Sequence, residues 1–186
     1  GILGYLAIIV GVAVLDTFRM FDANWRMLGR MDGELLRDGE IFRAVTALTL
    51  HADAQHLAGN IVFGSLFGLC AGRYVGYGVA WLAILLAAAV GNSVNTLLLE
   101  ETHRSIGAST AVFAALGLAA GYAFRSRAFP DSHWSARYGP IVGGLALLMY
   151  TGTGGANTDI GAHLMGFLAG LAAGVLVIGH IEKDFE

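Results

Sequence analysis

Ser109 and His163 are the residues of this chain whose types and surroundings point most directly to chemistry. Ser109 lies in Gly107-Ala108-Ser109-Thr110, at the opening of an apolar stretch. His163 lies in Gly161-Ala162-His163-Leu164-Met165-Gly166, near the start of the last apolar stretch. A polar or ionisable group inside an apolar span is costly to bury, so it faces a cavity and marks function. A serine with a histidine is a nucleophile with its base. Within a bilayer that pairing implies peptide-bond hydrolysis.

A second cluster opens another apolar run: His51-Ala-Asp-Ala-Gln-His56-Leu-Ala-Gly-Asn60. His56 and Asn60, at i and i+4, share a helix face. Both can donate hydrogen bonds to a developing oxyanion. Inter-helix polar contact is the alternative use of the same pair. His51 and His56 are five apart and no HExxH occurs, so no metal site is expected. No cofactor is expected either.

Each candidate also has an ordinary structural use. Ser109 stands near a helix N-terminus, where free N–H groups and the dipole can stabilise an anion. A serine there also caps the helix. His163 precedes Gly166, Gly170 and Gly174, a ridge of small residues that lets a neighbouring helix approach closely. A histidine on that face could instead bond a backbone carbonyl. The partner ridge is expected on the Ser109 helix, from Ala111 and Ala115 and from Gly117 and Gly121. Asp159, one turn before His163, could orient its ring, although a serine–histidine dyad fits equally well.

The elements that must position these groups are apolar helices. Of 186 residues, 56% are hydrophobic and 13% charged, and mean hydropathy is +0.65. A soluble domain carries about 25% charged residues. Most of the 27 glycines fall inside the apolar runs and not between them. An all-α, multi-pass membrane protein follows, with the lipid bilayer as its surroundings. A net charge of −3 without a basic run gives no basis for nucleic acid as a partner. Cys70 is alone, so no internal disulfide is expected and it reads as a small packed hydrophobe.

Six apolar runs can be drawn, at 1–18, 55–73, 76–99, 107–125, 138–153 and 159–181. Each approaches the roughly 20 residues that cross a hydrocarbon core. Their close spacing predicts one helical-bundle domain over 1–186. The segment 19–50 differs: five arginines alternate with Asp22, Asp32, Glu34, Asp38 and Glu40 among aromatics. That mixture predicts a structured, interfacial loop, partly embedded in the membrane. Asp16 and Asp53 fall at span ends and read as interfacial. Arg73, Arg125, Arg127, Arg137 and Lys183 fall on one side, but the first loop on the other side also carries five arginines, so the positive-inside rule only partly decides the orientation and favours a cytoplasmic 125–137 connection. The start at Gly1 reads as a fragment, a processed form or the ordered part of a longer chain.

At these residues the chain resembles the rhomboid intramembrane serine proteases. The resemblance covers nearly the whole sequence. Gly39-Glu40-Ile41-Phe42-Arg43 resembles the family's first-loop signature, with Phe42 where Trp is usual. His51…His56-x-x-x-Asn60 resembles its second helix, Gly107-x-Ser109 its catalytic motif, and Ala162-His163-x-x-Gly166 its base motif.

The resemblance implies a six-helix rhomboid bundle with a water-filled cavity open to the extracytoplasmic side. It implies Ser109 as nucleophile, His163 as general base and acid, and His56, Asn60 and the Ser109 N–H around the oxyanion. Phe113 is then expected to pack on His163. Gly107, Thr110, Gly166, Gly170 and Arg43 support the motifs. The fifth helix and the 151–159 connection form a substrate gate and cap.

The family's usual Gly-x-Ser-Gly reads Gly-x-Ser-Thr here, which puts the side chain of Thr110 beside the nucleophile. The expected function is cleavage of a single-span membrane-protein substrate, in a membrane that the Ala- and Gly-rich spans suggest is the bacterial inner membrane. The alternative is an inactive relative that binds transmembrane helices or serves as a subunit of a membrane complex.

Overall fold

The computed structural model describes residues 1–125, 134–151 and 158–181. Six long helices run through them: α1 Ile2–Thr17, α2 Ala54–Val75, α3 Tyr77–Leu98, α4 Ser109–Arg125, α5 Trp134–Thr151 and α6 Ile160–Ile181. Each overlies one of the six apolar runs, with ends displaced by up to four residues; α5 starts earliest relative to its run. A 22-residue helix measures about 33 Å at 1.5 Å per residue. Tyr77–Leu98 and Ile160–Val177 are long and apolar enough to cross a membrane by length and composition. Ile2–Thr17 and Ile141–Tyr150 are shorter apolar stretches. α2 is as long as α3 but less apolar, because its first turns carry Gln55, His56 and Asn60.

The outer faces of the helices are apolar. Leu3, Val62, Leu82, Val90, Val142 and Leu176 are all exposed. Apolar surface on this scale requires an apolar surrounding. The interior is built mostly from small side chains. Ala71, Ala80, Ala88, Ala114 and Ala115 pack with Ile84 and Leu118 between α2, α3 and α4. Phe113, Ala120, Leu148 and Phe167 pack between α4, α5 and α6.

Small residues decide how closely α4 and α6 approach. A Cβ added at Gly166, Gly170 or Gly174 would collide with the carbonyl oxygen of Thr110, Ala114 or Leu118. In return, Cβ atoms at Gly117 and Gly121 would collide with the carbonyls of Phe167 and Leu171. The glycine ridge and the Gly117/Gly121 pair therefore meet as expected. Ala111 and Ala115 do not face the ridge. They turn into the α2–α3–α4 core, and the positions opposite Gly166 and Gly170 are Thr110 and Ala114. α4 is apolar on all sides, so composition alone leaves its rotation undetermined.

The 19–50 segment is structured, with short helices at Trp25–Gly29, Gly33–Arg37 and Arg43–Thr46. Arg43 is buried at its centre. Its Nε donates to Glu40 Oε2 at 2.6 Å, and its Nη1 donates to the carbonyls of Met27 and Arg30 at 3.2 and 3.0 Å. Arg37 reaches the last turn of α3 and donates to the carbonyls of Leu97 and Leu99 at 3.2 and 2.9 Å. These are acceptors that a helix end leaves unpaired. Strand β1 (Met31–Asp32) pairs antiparallel with β2 (Arg104–Ser105), and Asp32 binds both Arg30 and Arg104. Thus the first loop grips the segment that leads to Ser109. Asp16 pairs with Arg26 at 2.7 Å, and Asp53 caps α2 through the His56 N–H at 2.7 Å. Cys70 is a half-buried free thiol.

Candidate active site

Three helix beginnings converge on one cavity of about 970 Å³. Ser109 stands at the first position of α4 and His163 one turn into α6. They come from positions 54 residues apart, yet Ser109 Oγ and His163 Nε2 lie 2.8 Å from one another. Both line the cavity with His56 and Asn60. Because α4 begins at Ser109, the N–H groups of its first turn have no partners within the helix.

Gly107 explains how the serine and the second helix fit together. Its φ is +138°, in the region that favours glycine. A Cβ there would stand 2.7 Å from His56 Cε1 and 3.4 Å from Ser109 Oγ. The glycine therefore lets the His56 ring close over the turn that carries the nucleophile. The Gly107 N–H is itself held by the Ala47 carbonyl at 2.9 Å. Asn60 is buried, and its Nδ2 has no hydrogen-bond partner among the described residues. A buried unpaired donor is expensive unless a ligand or water meets it.

Phe113 sits one turn after Ser109 and packs on His163, with ring centroids 4.7 Å apart. Both side chains are buried. Thr110 is also buried, and its Cγ2 lies 2.9 Å from where a Gly166 Cβ would stand. Its methyl group thus fills the α4–α6 contact. His51 meets His56 edge to face at 5.2 Å. Burial, with a smaller contribution from the neighbouring His56, pushes the His51 imidazole down to about 4. His51 therefore carries no charge at neutral pH.

The sequence leaves open whether Asp159 orients the His163 ring. The Asp159 carboxylate takes the Ala162 N–H at 2.9 Å and Asn95 Nδ2 at 3.0 Å, and it lies 2.9 Å from His103 Nε2. None of its hydrogen bonds reaches the His163 ring. Asn95 and His103 were missed as site residues. An asparagine within the apolar run of α3 was the available signal, since such a side chain needs a partner. Arg43, Gly166 and Gly170 lie outside the cavity and act on it through packing. Of the 151–159 connection expected to cap the site, residues 152–157 lie outside the described residues, as do 126–133 and 182–186.

A serine and a histidine in hydrogen-bond contact, beside an unpaired donor at the wall of a shared cavity, have the parts needed for acyl transfer. A family model for the Rhomboid domain matches residues 38–180. The chain belongs to the rhomboid family. Among curated relatives, this rhomboid-family chain is 31% identical over 171 residues to Rhomboid-like protease 3 of Toxoplasma gondii, covering 90% of the chain and 63% of that protein. It is 25% identical over 162 residues to RHOMBOID-like protein 7 of Arabidopsis thaliana, covering 83% of the chain and 48% of that protein. It is 28% identical over 150 residues to Rhomboid-like protease 2 of Toxoplasma gondii, covering 80% and 52%. The rhomboid-family chain thus spans between about half and under two thirds of these relatives' lengths.

Proposed function

We propose that this chain is an intramembrane serine protease that acts through a Ser109–His163 dyad. The observation that carries the reading is the 2.8 Å contact between Ser109 Oγ and His163 Nε2 at the wall of a cavity that His56 and Asn60 also line. With Nε2 unprotonated, His163 takes the Ser109 proton as Oγ attacks a scissile carbonyl. The oxyanion is held by the Ser109 N–H, Asn60 Nδ2 and His56. His163 then protonates the leaving amine, and the C–N bond breaks to leave an acyl ester on Ser109. A water gives its proton to His163, attacks the ester and frees Ser109.

The six long helices are the membrane-spanning elements of one domain over 1–186, and the cavity admits water from the extracytoplasmic side. The substrate is a single-span membrane protein whose helix unwinds at the site, because an intact helix hides its carbonyls. Alanine- and glycine-rich spans support placement in a bacterial inner membrane. Thr110 does not argue for the inactive, helix-binding alternative, since its methyl group is taken up against Gly166.

Labelling of the detergent-solubilised protein with a fluorophosphonate probe tests the proposal. The parent is expected to label, and Ser109→Ala and His163→Ala are not. A folded parent that fails to label, or a Ser109→Ala variant that still cleaves substrate, would overturn it.

A further inference from the structure

The dyad reading gives no task to Asp159, His103 or Asn95, yet their side chains make a closed polar clamp at the cavity edge. Asp159 Oδ1 accepts from the Ala162 N–H and from Asn95 Nδ2. Its Oδ2 accepts from the same Nδ2 at 3.0 Å and lies 2.9 Å from His103 Nε2. Asn95 is buried on α3. A Cβ at Gly161 would collide with Asn95 Oδ1, so that glycine is what lets the amide reach α6. His103 belongs to the connection before α4; its carbonyl accepts the Gly33 N–H at 3.0 Å.

The clamp joins the two approaches to the reacting pair. His103 is six residues before Ser109, along a segment fixed by the β1–β2 ladder and by the Gly107 N–H. Asp159 is four residues before His163, and its carbonyl accepts the His163 N–H at 3.2 Å. A helix cap alone needs only the bond from Asp159 to the Ala162 N–H. The bonds to Asn95 and His103 go beyond capping, and they tie α6 to α3 and to the Ser109 approach.

We infer that Asp159, gripped by Asn95 and His103, is a positioning residue: it sets the first turn of α6 so that the His163 ring meets Ser109. This inference rests on the dyad reading, since it concerns the alignment of that pair. Misplacing a reacting group by about 1 Å costs up to roughly a hundredfold in rate.

Asp159→Ser separates the two roles, because a serine hydroxyl still caps the helix but is too short to span to both Asn95 and His103. In proteoliposomes with a single-span reporter substrate, Asp159→Ser is expected to stay folded with a lowered melting temperature, because the buried Asn95 amide loses its acceptor, and to keep the parental KM while kcat falls roughly ten- to hundredfold. His103→Leu and Asn95→Leu, which leave the cap in place and remove the donors to Asp159, should match it in kcat. The Asp159→Ser/His103→Leu double variant should be no worse than either single one in kcat. A parental kcat in Asp159→Ser, or a change in KM alone, would reduce Asp159 to a cap and overturn the inference. If Asp159→Ser fails to fold, the His103 and Asn95 variants decide by the same criterion.

A parent that neither labels nor cleaves would remove the protease reading but still leave the clamp testable. Ring 15N resonances of histidine report the clamp without turnover. Those of both His103 and His163 should move in Asp159→Ser; movement of His103 alone would sink the inference.

Discussion

At the scale of single residues, the site depends on atoms that have no other partner. Asn60 Nδ2 is buried and unbonded among the described residues, and His56 closes over Gly107. If these groups hold an oxyanion, their loss should weaken the transition state and leave substrate binding intact. Asn60→Ala and His56→Ala are expected to lower kcat by about a hundred- to a thousandfold each, with KM little changed. Steady-state cleavage kinetics check this, and an equal fall in substrate affinity would assign the pair to binding instead. Gly107→Ala should be more damaging than its size suggests. It combines a φ of +138° with a Cβ 2.7 Å from the His56 ring, so fluorophosphonate labelling of Ser109 should be lost. These residues were legible in the sequence because a serine, two histidines and an asparagine stand out in apolar runs. The use of Asp159 was not legible, since spacing puts it near His163 but cannot show that Asn95 and His103 claim its oxygens.

At the scale of elements, the active geometry is a consequence of how α4 meets α6. Ser109 and His163 sit on different helices, and their 2.8 Å contact exists because the two backbones approach through glycine. Gly170 faces the Ala114 carbonyl, whereas a Cβ at Gly143 on α5 would meet nothing within 4 Å. Gly170→Val should therefore push the helices apart, destabilise the fold by about 1–3 kcal/mol and abolish probe labelling. Gly143→Ala should leave labelling intact and, as an exposed helical glycine, raise stability by up to about 1 kcal/mol. Melting temperatures and labelling of the two variants make the comparison; equal effects would mean that close approach does not position the dyad. The Gly166–Gly170–Gly174 ridge was visible as a repeat. Gly117 and Gly121 meet it as expected, but the Ala111/Ala115 part of its partner face is displaced by one residue to Thr110/Ala114, a rotation of about 100° on a helix. That error has a cause: with apolar residues on every side of α4, neither burial nor hydropathy marks which face looks at α6.

At the scale of the whole molecule, the bundle must reconcile an apolar exterior with the proposed hydrolysis, which would consume water. The six runs predicted the six long helices, because mean composition over about 20 residues is a strong signal. The first loop was legible as structured but not in its contacts. Arg37 reaches the end of α3 and β1 pairs with β2 across some 70 residues of chain, and long-range pairing leaves little local trace. This loop holds the polar end of the molecule together, on the same side as the cavity formed by the starts of α2, α4 and α6. Water should therefore enter from that end only. In a Cys70→Ala background, Ser109→Cys in sealed proteoliposomes is expected to react with a membrane-impermeant thiol reagent. A second variant, Arg125→Cys at the far end of α4, marks the opposite, cytoplasmic end in the proposed topology. In vesicles of a single orientation, reagent outside should modify one of the two cysteines, and reagent trapped inside the other. Modification of both from one side would break the proposed topology. A folded Ser109→Cys variant inert from both sides would mean that bulk water does not reach the nucleophile, leaving the acyl ester without the reactant that resolves it.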